Sequence, residues 1–219
     1  MKGLMLNQWY SVNKSFWGYL VLSVVIMGVL LIAQQDMLLT VATFIPIIFM
    51  VTPAFEVLKN ETMSGWNKFV LALPLKRSQI VRSHFLFFMM LMFVGIIISV
   101  GVFVVAEFIS EGIWTNAVTN SILNGIGLAL ILGLVAYPLT YHLGTEKSDM
   151  VLMLSVLVAI GSYFLGSFIF NWVFNNYTIA PLQNVDLDFL FSAAFALVSF
   201  VLFFLSYVIT NQIYRKKEF

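Results

Sequence analysis

Six stretches of the chain contain no charged side chain: residues 15–35, 37–55, 85–106, 117–141, 150–174 and 189–212. None shows the period-2 alternation of a half-buried strand. A helix that crosses about 30 Å of hydrocarbon needs roughly 20 apolar residues, so each stretch is predicted to span a membrane. The expected fold is an all-α integral membrane bundle of six transmembrane helices, a single transmembrane domain over residues 1–219. Only Gln34, Gln35 and Asp36 separate the first two spans, which predicts a tight turn. Pro46 and Pro53 predict kinks in the second span, tolerable where neighbours satisfy the freed carbonyls.

The polar connections orient the bundle. Lys2 and Lys14 precede span one, and Lys59, Lys68, Lys76, Arg77 and Arg82 lie between spans two and three. Lys147 lies between spans four and five, and Arg215, Lys216 and Lys217 follow span six. All eleven basic residues therefore fall on one side of a six-span arrangement. The opposite loops carry Asp36, Glu107, Glu111, Asp186 and Asp188. By the positive-inside rule, both termini are expected in the cytoplasm. The expected location is a membrane crossed six times, with both termini on its cytoplasmic side.

Composition agrees: 61% of residues are hydrophobic and 10% charged, against roughly 45–50% and about 25% in soluble domains. With a net charge of +1, no overall field favours nucleic acid, and none is expected as a partner. The lipid bilayer is. No Cys is present, which excludes disulfides and thiolate chemistry. No cleavable leader is evident, and the N-terminus is read as retained.

Several chemistries are excluded by missing residues. None of the 13 glycines is followed by Lys, so there is no Walker A loop. The two histidines, His84 and His142, form no H-E-x-x-H and are expected as interfacial residues at span ends. No ionisable group falls near the middle of a predicted span, which argues against a proton-coupled transporter or a carboxylate-dependent intramembrane enzyme. The chain is not expected to be an enzyme by itself, nor to bind a metal or cofactor. The Ser, Thr and Asn residues within spans, including Ser99, Asn120, Asn124, Ser155, Ser199 and Ser206, are expected to bond between helices.

Two patterns suggest surfaces. Ser121, Gly125, Ala129 and Gly133 recur every four residues on one face of span four, a close-packing stripe that suits either intrachain packing or a dimer or gate interface. Met5, Trp9, Val12 and Phe16 form an apolar stripe at helical spacing. It predicts an amphipathic helix in the inner interface; a cytoplasmic extension of span one is the alternative. Trp114, Trp172 and Tyr177 are expected at the outer headgroups.

The 56–84 loop is the most informative connection. Met63, Trp66, Phe69 and Val70 follow helical spacing, Pro74 ends the pattern, and Ser78 is a candidate N-cap for the next helix. Such a helix suits docking into another protein's groove or lying on anionic lipid. Its residues Glu61-Thr-Met-Ser-Gly-Trp66, then Leu73-Pro-Leu-Lys-Arg77 and Ile80-Val-Arg-Ser-His-Phe85, resemble the cytoplasmic signature of ABC-2-type permeases. They are similar in particular to the small bacterial branch that includes the membrane subunits of phenol-soluble-modulin peptide exporters.

The resemblance implies two six-helix permease subunits, identical or not, with an interfacial N-terminal helix. It also implies a cytoplasmic coupling helix that contacts a separate ABC ATPase subunit, where ATP and Mg would reside. On matching positions the coupling segment is 61–73, with Trp66 as its main apolar contact and Met63 and Phe69 beside it. Glu61, Lys68 and Arg77 are its candidate polar contacts. The implied function is the permease subunit of an ATP-driven exporter of amphipathic peptides or other hydrophobic or antimicrobial compounds. A non-transporting sensor, immunity or scaffold protein paired with an ATPase is the alternative.

Overall fold

The structure is a computed structural model that describes residues 2–33, 35–72, 75–110, 112–176 and 186–216. It contains seven α-helices among the described residues: α1 (Lys2–Ile32), α2 (Asp36–Met63), α3 (Trp66–Ala72), α4 (Arg77–Ile109), α5 (Asn116–Leu143), α6 (Ser148–Asn176) and α7 (Leu187–Lys216). A single 3₁₀ turn, Thr145–Lys147, links α5 to α6. Six helices are long and apolar enough to cross a membrane; α3, with seven residues, is not. The six expected spans are thus all present. Their helices run past the charge-free windows, because a helix continues for as long as its backbone ladder is unbroken and charge marks only where it leaves hydrocarbon.

That difference matters most in α1 and α2. No separate interfacial helix precedes span one: residues 2–14 are the first turns of α1, and no proline lies there to interrupt them. These turns bury Leu4, Gln8 and Val12. They continue the antiparallel α1–α2 pairing, in which Tyr19 Oη donates to Glu56 Oε1 (2.9 Å) and Asn60 Nδ2 donates to the Ser11 carbonyl (3.1 Å). α2 in turn carries Pro46 and Pro53 without interruption and extends eight residues beyond the expected end at 55. The extension of span one, not an interfacial helix, is what the chain forms.

α2, α4, α5 and α7 share an aromatic core. Phe85 stacks on Tyr137 (centroids 4.5 Å) and Phe88 on Phe203 (5.1 Å), and Phe55 lies 5.5 Å from Tyr137. Glycine sets the α2–α4 approach: a Cβ on Gly95 would lie 2.8 Å from Ile47 Cα and 2.9 Å from the Pro46 carbonyl oxygen. The span hydroxyls mostly bond back to their own helix. Ser155, Ser192 and Ser199 donate to carbonyls four residues earlier, the local option always open to Ser in a helix. Ser99 and Ser206 are the interhelical cases, donating to the Thr43 and Leu134 carbonyls at 2.6 and 2.8 Å.

At the end of the bundle away from α3, Glu107 organises the α4–α5 connection. Its carboxylate accepts the Gly112 and Trp114 amides at 3.0 and 2.6 Å, and Trp114 Nε1 donates to Thr119 Oγ1. Gly112 takes φ 88°, which favours glycine. Leu73, Pro74, Glu111 and Tyr177 fall outside the described residues, as does Lys217.

A candidate coupling site at the α3 end

α2 stops where Gly65 adopts φ 73°, a left-handed conformation that turns the chain at little steric cost. The Ser64 amide donates to the Asn60 carbonyl and the Gly65 amide to that of Thr62, and the Phe69 amide donates to the Gly65 carbonyl as α3 begins. In α3, Val70 is buried and Phe69 is 57% exposed. Trp66 is half-buried, with its ring 5.3 Å from that of Phe69. Beside α3 lies an open groove of about 640 Å³ lined by Tyr10 and Ser11 of α1, Asn60 and Glu61 of α2, and Trp66 and Phe69.

Beneath this groove the helices are tied by buried polar groups. Glu61 Oε2 lies 3.0 Å from His84 Nε2, and His84 Nδ1 lies 2.7 Å from Tyr141 Oη. Glu61 and His84 are 4% and 2% exposed. One arrangement satisfies all three groups: Nε2–H donates to the carboxylate while Nδ1 accepts from the tyrosine hydroxyl. Tyr137 Oη donates to the His84 carbonyl (3.1 Å), and Tyr141 meets Tyr214 edge to face at 5.2 Å. On the α1 side, Gln8 Nε2 donates to Ser83 Oγ (2.9 Å). Glu61 of α2 is thus linked to α4 through His84, to α5 through Tyr141 and to α7 through Tyr214, while α1 joins beside His84 at Ser83. A buried network of this kind is rigid while complete and costly when broken.

The residues singled out in the sequence divide. Glu61, Trp66 and Phe69 share the groove. Met63 closes α2 and is 78% exposed. The Lys68 side chain lies outside those described. Glu61 is not the surface contact it was expected to be: it belongs to α2, and its carboxylate turns inward to His84. Arg77 also faces elsewhere, donating to the Tyr214 and Arg215 carbonyls at 3.4 and 3.0 Å, so that it caps the C-terminal end of α7. α4 starts at Arg77 with Lys76 as N-cap, two residues before the expected Ser78, and the Lys76 amide donates to Gln79 Oε1. His84 is buried rather than interfacial, and sequence reasoning missed it together with Gln8 and Tyr141. The available signal was that polar residues recur at one depth, at the same end of four spans.

The small-residue stripe of α5 is filled from within the chain. A Cβ on Gly125 would lie 2.6 Å from Phe44 Cβ, and one on Gly133 would lie 2.7 Å from Phe203 and 2.9 Å from Phe88. Ala129 is fully buried and Ser121 nearly so. The stripe therefore packs α5 against α2, α4 and α7 and offers no free face to a second copy.

A bundle of six spanning helices with a short helix between the second and third matches the span count and the loop helix that the resemblance implied, though not its separate N-terminal helix. The family model for ABC-2 family transporter proteins matches residues 3–215. The chain belongs to this family. No curated protein matches it significantly. As an ABC-2 family member it is a multi-pass membrane transporter component, and the match covers α1 and α7 as well as the loop. Among the described residues of this ABC-2 protein no group of His, Cys, Asp or Glu could hold a metal ion.

Proposed function

We propose that this ABC-2 protein is the permease subunit of an ATP-driven exporter whose energy comes from a separate ABC ATPase subunit carrying ATP and Mg. The observation that carries the reading is the position of α3. Its aromatic residues, Trp66 and Phe69, border a groove whose inner wall is Glu61, and Glu61 is bonded to α4 and through His84 to α5. A push on α3 thus has a short path into three spanning helices. ATP can drive a change only if partner contacts differ between permease states, and a groove built from α1, α2 and α3 is where such a difference could be read.

The α3 end carries Lys2, Lys14, Lys59, Lys76, Arg77, Arg82, Lys147, Arg215 and Lys216, and so it is taken as cytoplasmic, in a bacterial plasma membrane with both termini inside. A second permease subunit completes the pathway. The cargo is an amphipathic peptide or another hydrophobic or antimicrobial compound. Support for that cargo is the family resemblance together with weakly polar, aromatic spans.

The test is a mild-detergent pull-down of the tagged protein from its native membrane. The expected result is a stoichiometric subunit bearing a Walker A sequence. Trp66→Ala should cut its recovery about 30-fold, the equivalent of roughly 2 kcal/mol for a buried aromatic contact, without reducing membrane insertion. If wild type brings down no ATPase under conditions that preserve other membrane complexes, the reading fails.

A further inference from the structure

A second groove lies away from α3, on the flank of the bundle between α4 and α7. It measures about 430 Å³. Two antiparallel helices form its walls with the same spacing: Arg82, Phe85 and Leu86 on α4 face Phe203, Phe204 and Tyr207 on α7. Phe85 and Phe203, with ring centroids 5.0 Å apart, close the floor. Leu86 (40% exposed) and Phe204 (63%) open to the side, where the surroundings of a spanning helix are acyl chains. The lining continues to Met89, seven residues beyond Arg82, which is about 10 Å along the helix.

The polar groups are confined to one end. Arg82 forms no hydrogen bond or ion pair with another described residue, and neither does the Tyr207 hydroxyl. A cation and an O–H donor thus sit at the mouth of an aromatic trough, while nearby Arg77 is already committed to the α7 carbonyls. We infer that this groove binds an anionic phospholipid of the inner leaflet, with its phosphate at Arg82 and Tyr207 and part of an acyl chain along Phe85 and Phe203. Charge decides the occupant. A zwitterionic lipid would gain little from Arg82, and a cationic amphipathic peptide would be repelled by it. The site shares no lining residue with the groove at Trp66 and Phe69 and does not depend on the export reading.

The test is native mass spectrometry of the delipidated full chain titrated with phosphatidylglycerol and with phosphatidylcholine. The expected result is a first phosphatidylglycerol bound about fivefold more tightly than phosphatidylcholine, the interaction expected of one arginine with an anionic lipid. Arg82→Ala should bring the ratio close to one, Arg82→Lys should keep most of it, and Lys14→Ala should leave it unchanged. Leu86→Trp, which fills the trough, should remove the first tightly bound lipid. Circular dichroism and size-exclusion profiles identify any variant that fails to fold, in which case Arg82→Lys against Lys14→Ala carries the comparison. Equal affinity for the two lipids in wild type, or a preference that Arg82→Ala does not change, would overturn the site. So would a lipid-free dimer that Leu86→Trp dissociates, because the groove would then belong to a second copy.

Discussion

α5 and α6 are consecutive, of nearly equal length and about equally apolar, yet 56% of the most apolar window of α5 is buried and only 11% of that of α6. Both carry small residues. Those of α5 are met closely by Phe44, Phe88, Phe195 and Phe203. On α6, by contrast, a Cβ on Gly166 would reach Phe191 and Phe195 only at 3.8 and 3.9 Å, and one on Gly161 would have nothing within 4 Å. Without water to drive apolar faces together, helices in a membrane associate through close packing. A small residue therefore matters only when a large one is placed opposite it. α5 has its aromatic partners within the chain. α6 holds Phe164, Phe168 and Trp172 outward, toward lipid or the proposed second subunit.

Gly125→Leu should have the largest effect. Its Cβ would meet Phe44 Cβ, an atom fixed to the α2 backbone, and overpacking of that kind costs about 3 kcal/mol or more. The loss should appear in the unfolding free energy measured by SDS titration in mixed micelles. Glu61→Ala comes next, at about 1–3 kcal/mol, since it leaves buried His84 Nε2 without its acceptor; Glu61→Gln, which keeps an acceptor, should recover part of the loss. Gly161→Leu should change the stability of the isolated chain by less than about 0.5 kcal/mol. A large loss from Gly161→Leu in the assembled complex, absent in the isolated chain, would show that a partner covers α6 and sharpen the contrast. A large loss in the isolated chain would break it.

The number of spans was legible because charge is expensive in hydrocarbon and the charge-free windows are long. Helix ends were not: Glu56 and Glu61 look like loop residues by charge, but a helix tolerates them once Tyr19 and His84 supply partners. The α5 stripe was visible as spacing, while its partners, Phe44 and Phe203, lie far away in sequence and became apparent only through packing. Around α3, the helix carrying Trp66, Phe69 and Val70 was legible from its period. Met63, read as part of the same helix, instead ends α2, because Gly65 turns the chain between them. The inward turn of Glu61 and the capping role of Arg77 were not legible, because each depends on a residue of another helix, His84 in one case and the end of α7 in the other. The N-terminal stripe was read correctly as helical and apolar on one side. Two of its members, Val12 and Phe16, are buried within the protein, while Met5 and Trp9 stay half-buried.

The central claim is that the α3 end meets the ATPase. The chain has no cysteine, so a single Cys can carry a photoactivatable cross-linker at a chosen point. Phe69→Cys places it on α3, and Phe108→Cys, at a residue 87% exposed, places it near the far end of α4. In native membranes the account predicts a cross-linked product containing a Walker A subunit from position 69 and none from position 108. Cross-linking from 108, or equal yield from both, would contradict it.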